Sequence, residues 1–348
     1  MKQVEKSKNS KPRPIFVLLA AIAVLFSLFL LGLVALAGWQ LTQPYGAESA
    51  GQRTGKTLVT VNEGDSSSKI ASNLFQQKLI ANPWLLEIML NLGPARGRIK
   101  PGPYLIQPGT NMYQLATMLS RGQIAIIKLT FPEGLTIEEL ANRWQAAGLG
   151  SRQDFVSATR QAYNFNFLSG TVPAGNLEGY LFPATYKVIY GTPAAGLVQQ
   201  MLQAFSDQAW SVLQGSRPQN LSPNQILTLA SIIEKEANTS QDRKMVAGVF
   251  YNRLKVGMKL QSDVTVNYAT GKKTTSPGDL RVNSPYNTYL APGLPPAPIN
   301  NPSLDAIEAA MNPAQSDYLF FLADQQGNIR FATTNAQHQA NIEKYLNN

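Results

Sequence analysis

Residues Ile15 to Gly38 run for 24 positions without a charge, and Ser27 is the only hydroxyl among them. As a helix the run is about 36 Å long, enough to cross the roughly 30 Å hydrocarbon core of a bilayer with some tilt. Trp39 follows, at the place of an interfacial aromatic. Lys2, Lys6, Lys8, Lys11 and Arg13 precede the run, against Glu5 alone. The positive-inside rule then puts residues 1–14 in the cytoplasm and the remainder on the outer side of the membrane. A cleaved signal peptide is the competing reading, and Ala35-Leu36-Ala37 fits its small-residue cleavage pattern. Its apolar core would be about 7–15 residues, however, and the stretch ahead of Ala35 is longer than that. A retained single-pass anchor in the bacterial cytoplasmic (inner) membrane is the expectation.

The rest of the 348-residue chain is long enough for one large domain or two ordinary ones. Hydrophobic residues make up 44% and charged residues 15%, so a sizeable packed core is expected. The chain has no cysteine, which excludes a disulfide framework, a thiolate metal site and a cysteine nucleophile. Its one histidine, His338, excludes a multi-histidine metal site. No cofactor is expected. The net charge is +9, of which the tip contributes 5 − 1 = +4. The remaining +5 is spread thinly, without a basic cluster interleaved with aromatics, so nucleic acid is not an expected partner.

Residues 40–56 are small and polar and read as a tether. A pattern then repeats three times: Val59 to Gly64 into Ser66–Leu74, Tyr104 to Gly109 into Thr110–Leu119, and Leu129 to Gly134 into Leu135–Trp144. Each copy reads as a short strand, a glycine turn, a polar cap and an amphipathic helix, with Ile70, Ala71 and Leu74 at helical spacing in the first. The order resembles LysM-type modules, which bind chitin-like or peptidoglycan sugars. Leu177 to Tyr186 is dense in aromatics around Gly179 and Pro183. Aromatic faces beside the Glu178 carboxylate would suit sugar rings, and the same residues would equally suit a core loop.

Helices are expected from Ser222-Pro223, a cap followed by proline at the first position, and over 243–256 after Asp242. The prolines of Gly293 to Pro302 impose an extended path. A helix over 303–311, a strand pair (Tyr318 to Ala323, Ile329 to Ala332) and a final helix close the chain.

The helix Leu229-Ala230-Ser231-Ile232-Ile233-Glu234-Lys235-Glu236-Ala237 carries two glutamates. With Ile226 at 0° on a helical wheel, Glu234 lies at about 80° and Glu236 at about 280°, on opposite edges of the apolar face. Periodicity therefore does not choose between them. A glutamate bordering an apolar face can have its acid form favoured by desolvation, which suits a general acid near neutral pH.

That helix stands in a longer ordered series: Asp242-Arg243, Val249 to Leu254, Gly257 to Asp263, Ser284 to Tyr289 and Gly293 to Pro296. With Glu178 to Pro183, the anchor and the LysM-like region, it closely resembles the YceG-like family of endolytic murein transglycosylases. These enzymes cut nascent glycan strands of peptidoglycan between MurNAc and GlcNAc. The resemblance implies that Glu236 is the general acid and then the base, giving 1,6-anhydro-MurNAc ends and terminating strand elongation. It implies an α+β fold: an anchor at 15–39, a linker at 40–56, a LysM-like domain at 57–125 and a mixed helical and β catalytic domain at 126–348. Within the last, 126–175 reads as a connecting subdomain. Candidate substrate contacts are Glu178, Tyr180, Phe182, Asn252, Arg253, Gln261, Ser262, Asp263, Tyr286, Asn287, Thr288 and Tyr289, with Asp263 the best second carboxylate. Arg253 suits an ion pair or the carboxylates of the substrate's peptides. The implied partners are peptidoglycan strands, membrane lipid through the N-terminal helix, and peptidoglycan synthases. One departure from the family pattern is Gly327-Asn328-Ile329-Arg330-Phe331, where relatives often carry a histidine. A non-catalytic anchored scaffold that binds peptidoglycan and recruits synthases is the alternative from another class.

Overall fold

The computed structural model describes residues 14–42, 55–92, 98–169 and 176–346. The basic tip through Arg13 and residues 43–54 of the expected tether lie outside them. Two units, Met1–Ala125 and Ile126–Asn348, each have a core of their own.

The first unit opens with helix α1 (Pro14–Thr42), the one helix among the described residues long and apolar enough to cross a membrane. The hydroxyl of Ser27 turns inward along the helix and donates to the Ala23 carbonyl at 2.8 Å. Next come β1 (Thr57–Val61), α2 (Ser67–Gln76), α3 (Pro83–Leu92), β2 (Gly102–Ile106) and α4 (Met112–Arg121). Strands β1 and β2 pair antiparallel, with Thr57 opposite Ile106 and Val61 opposite Gly102. Alternation buries Val59, Val61, Tyr104 and Ile106 on one face, against Ile70, Leu74, Leu86, Leu90 and Leu115.

The strand–turn–helix pattern is present in all three places. Gly64 and Gly109 at φ +80 and Gly134 at φ +72 make the turns. The caps are Ser66, Asn111 and Thr136, each accepting from a backbone N–H of the first turn. The middle cap is Asn111 rather than Thr110, whose hydroxyl donates to Gln107 O inside the turn. The third strand, β3 (Ile126–Thr130), belongs to the second unit and pairs antiparallel with β4 (Thr185–Ile189).

The second unit continues with α5 (Ile137–Ala146), α6 (Arg152–Ala158) and, after β4, α7 (Ala194–Phe205). Helix α7 runs through a π-helical stretch (Ser206–Trp210) into a last turn, α8 (Ser211–Leu213). Then follow α9 (Pro223–Glu236), α10 (Ser240–Lys255), α11 (Asp263–Thr270), α12 (Leu304–Met311), the antiparallel hairpin β5 (Phe320–Ala323) and β6 (Ile329–Ala332), and α13 (Asn335–Tyr345). The helix expected from 243 begins at Ser240, because the Thr239 side chain accepts from Asp242 N and caps it three residues earlier. Helix α11 was not foreseen.

Helix α9 is the axis of this unit. Ile226, Leu227, Leu229, Ala230, Ile232 and Ile233 are all fully buried, so apolar contact surrounds the helix until its last turn. Its buried hydroxyls find partners: Thr228 donates to Asn224 O at 2.8 Å and Ser231 to Thr228 O at 2.7 Å. The proline-rich stretch forms no helix, as expected, but bends at Pro296-Ala297 and again at Ile299-Asn300 instead of running extended, and it is buried from Ala297 to Asn301. Its buried polar groups are taken up: Ile299 N donates to the Ser231 hydroxyl, and Asn301 Oδ1 accepts from Gly179 N and Leu181 N.

Candidate active site

Helix α9 ends on Glu236, and Ala237 leaves it in an extended conformation at φ −143. The Glu236 carboxyl is partly buried, and the Ser262 hydroxyl donates to its Oε1 at 2.5 Å. Ser262 is placed by backbone stitching. Gln261 adopts φ +50 and donates its N–H to Thr288 O at 3.2 Å, while Ser262 N donates to Thr288 Oγ1 at 3.0 Å. Thr265 and Thr288 join hydroxyls at 2.9 Å beneath. Desolvation is the largest influence on Glu236 and pushes its pKa up. The Ser262 hydrogen bond and the Arg253 charge pull down, the Asp263 charge pushes up, and the net shift is upward. Burial thus favours the protonated form of this carboxyl.

Asp263, the first residue of α11, is exposed and accepts from the Tyr289 phenol at 2.5 Å. Burial first, and then that contact, push the phenol's pKa up. Tyr289 therefore stays a donor and holds the Asp263 carboxylate in place.

Glu234 differs in its attachments. Its Oε1 meets Arg243 Nη2 at 2.9 Å, and its Oε2 accepts from both the backbone N (2.9 Å) and the hydroxyl (2.5 Å) of Ser303, the cap of α12. Arg243 also binds Asp305 at 2.6 Å and the Ala237 carbonyl at 3.2 Å. Both oxygens of Glu234 are thus engaged by the fold, whereas Glu236 has one hydrogen-bond donor among the described residues, the Ser262 hydroxyl. Arg243 entered the sequence reading only within the Asp242-Arg243 motif, and Ser303 and Thr265 had no site role in it, since each acts through partners that the fold supplies.

The model of a family described as YceG-like matches residues 59–344. The chain belongs to the YceG-like family. It is 32% identical over 315 residues to a Bacillus subtilis protein named endolytic murein transglycosylase, covering 85% of this chain and 87% of that one. A Streptococcus pneumoniae protein of the same name is 31% identical over 326 residues, which cover 84% of this chain. The match spans only 59% of that relative's length. A crystal structure of a YceG-like protein from Listeria monocytogenes superposes with a TM-score of 0.53 at 33% identity, covering 82% of this chain and 98% of that one.

In this YceG-like chain the expected substrate contacts divide. Around Glu236 the fold gathers Ser262, Asp263, Thr288, Tyr289 and the backbone of Gln261. Arg253 lies close enough for its charge to act there. Its hydrogen bonds, however, go to carbonyls: Nε donates to Leu319 O and Nη1 to Leu260 O, both at 2.6 Å. It is a brace rather than an open cation.

Three expected contacts are spent inside the fold. Tyr180 is buried among Phe167 and Phe205, and its hydroxyl donates to Asn224 Oδ1. Asn252 holds the carbonyls of Ser316 and Tyr318, and the fully buried Asn287 holds those of Leu280 and Val282. Tyr180 and Asn287 are buried, whereas Asn252 is partly exposed with its Nδ2 committed to those two carbonyls. Phe182 is half-buried against the same core.

Glu178 is a wall of a neighbouring cleft of about 980 Å³, and Tyr286 packs its ring 4.9 Å from that of Tyr268, another wall residue. The buried Glu178 carboxyl accepts from Ile137 N at the start of α5 and from Asn301 Nδ2. Burial pushes its pKa up to about 8. Helix α11 begins beside Glu236 and lines this cleft with Val264, Asn267 and Tyr268.

Proposed function

We propose that the chain is a membrane-anchored endolytic lytic transglycosylase that cuts MurNAc–GlcNAc bonds in nascent glycan strands of peptidoglycan. The observation that carries this is the Glu236 carboxyl: partly buried, raised in pKa, held by Ser262 and set beside Asp263. The names of the Bacillus and Streptococcus relatives support the same substrate.

The chemistry needs one carboxyl in two protonation states. Glu236 as the acid gives its proton to the glycosidic oxygen while the bond to C1 breaks and GlcNAc leaves with a new hydroxyl. The oxygen of the 2-acetamido group supports C1 in the place of a carboxylate nucleophile. Glu236, now ionised, takes the proton of the MurNAc C6 hydroxyl as that oxygen closes onto C1. The product is a 1,6-anhydro end, and the enzyme regains its proton. A group that alternates in this way works best with a pKa near the working pH, the direction in which burial moves Glu236.

Helix α1 serves as the anchor, with residues 1–14 in the cytoplasm and the catalytic unit, 126–348, outside. The strand–helix–helix–strand order of 57–106 supports a LysM-like, peptidoglycan-binding role for residues 57–125. Cutting nascent strands would end their elongation and place the enzyme with strand synthases.

Digestion of uncrosslinked glycan strands by the full chain, with mass spectrometry of the ends, tests the proposal. Anhydro ends are the expected result. Reducing ends would make the enzyme a hydrolase with Asp263 orienting water, and intact strands would leave a peptidoglycan-binding scaffold.

A further inference from the structure

The cleft beside Glu236 has a charge pattern that strand cutting leaves unexplained. Its acids are engaged. Glu138 pairs with Arg152, Glu139 closes the capping box of α5, and Glu178 is largely uncharged at neutral pH through its burial. Lys272 pairs with Asp279 at 2.7 Å. Lys235 and Lys273 also line the cleft, and neither has an ion-pair partner among the described residues. Lys235 reaches back over the Gly134 turn, where a Cβ would come within 3.1 Å of its ammonium. Lys273 is held in place through its carbonyl, which accepts from Asn267 Nδ2 on α11.

A second observation comes from Asn300. It also lines the cleft, is fully buried, and donates from Nδ2 to Ser231 O at 2.7 Å. Its Oδ1 has no hydrogen-bond donor among the described residues. A buried acceptor without a donor is costly, and a group entering the cleft with an N–H would satisfy it. Two cations and one amide acceptor together match an acidic peptide: carboxylates for the lysines and a backbone N–H for Asn300.

Position agrees with chemistry. Lys235 precedes Glu236 on α9, and α11 runs from Ser262 beside the acid into the cleft wall. In MurNAc the peptide is carried on the same ring whose C1 would meet Glu236. The structure assigns this cleft to the acidic stem peptide on the MurNAc being cut, with Lys235, Lys273 and Asn300 as its contacts. The inference rests on the proposed function and names the part of the substrate beyond the sugar.

The test is calorimetric binding to the full chain carrying Glu236→Gln, in detergent micelles. Two probes are compared: a GlcNAc–MurNAc disaccharide with its stem peptide and the same disaccharide without it. The peptide-bearing probe should bind about tenfold tighter, and raised salt should shrink that margin. The margin should disappear when Lys235→Ala and Lys273→Ala are added, and return with arginine at both positions. Equal affinities, no binding of either probe, or a margin that survives the double substitution would overturn the assignment. Strand digestion separates the two ideas. Cleavage without a peptide margin sinks only this one, whereas a margin without cleavage sinks only the enzyme.

Discussion

At the scale of single residues, the helix with two glutamates is the informative case. From sequence they were equivalent, because a helical wheel sees only the helix it is drawn on. Their difference lies in partners far along the chain: Ser262 for Glu236, Arg243 and Ser303 for Glu234. Glu236→Gln should therefore lower strand cleavage roughly 10²–10⁴-fold, the usual weight of a general acid–base, with little change in melting temperature. Glu234→Gln should do the reverse. It takes one of two carboxylates from the poorly exposed Arg243, which keeps Asp305, at a cost of about 2 kcal/mol in denaturant unfolding, while cleavage by the remaining folded protein persists. Abolished activity with unchanged stability in the Glu234 variant would reverse the assignment.

Glu178 gives a pH signature. Its folded-state pKa of about 8 lies above its ordinary 4.5, so over that interval the folded chain holds a proton that the unfolded chain has lost. Stability is fully present below pH 4.5 and declines as pH rises toward 8. Glu178→Gln should flatten the fall in melting temperature across that range. Glu236, shifted in the same direction, adds to the residual slope, while His338, whose pKa burial lowers, opposes it. An unaltered slope would mean that Glu178 is ionised in the fold.

At the scale of elements, local signals were sound and long-range ones were not. The three glycine turns at positive φ, the Ser222 cap and the closing hairpin follow from residues within a few positions of each other. Strand β4 could not be read as one, because the aromatic density of 177–186 masks its alternation and its partner β3 lies across α5 and α6. Helix α11 was hidden by its start, where Gln261 takes a left-handed conformation that only Thr288 explains. The aromatics suggested sugar platforms. Tyr180 shows that the same composition builds an interior.

Close packing between elements also makes a prediction. Gly248 lies within α10, where alanine would ordinarily gain about 1 kcal/mol from helix propensity. A Cβ there would sit 2.4 Å from the Ala314 carbonyl oxygen. The collision involves backbone and should win, so Gly248→Ala is expected to destabilise by about 1–3 kcal/mol in urea titration. A more stable variant would show that α10 and residues 314–316 can move apart cheaply.

At the scale of the whole molecule, α1 carries the clearest expectation. The full chain should sediment with membranes, and removal of residues 1–42 should release it to the soluble fraction. Continued sedimentation without α1 would point to a second attachment. A long uncharged run was the plainest signal in the sequence, because crossing lipid depends on composition alone. The site around Glu236 was legible only as a resemblance, because it is assembled from α9, α11 and the Ser284–Tyr289 loop. No single window contains it.

Arg253 adds a consequence of its own. It grips Leu319 ahead of the closing hairpin with one nitrogen and Leu260, two residues before Ser262, with another, while Asn252 beside it holds Ser316 and Tyr318. The support for Glu236 thus includes chain made long after Glu236 itself. A premature stop codon past Met311 would silence a glutamate already translated, and a protease nicking that stretch would do so irreversibly. In a random-mutagenesis screen, null alleles should gather toward the 3′ end of the gene as well as around the codon for Glu236.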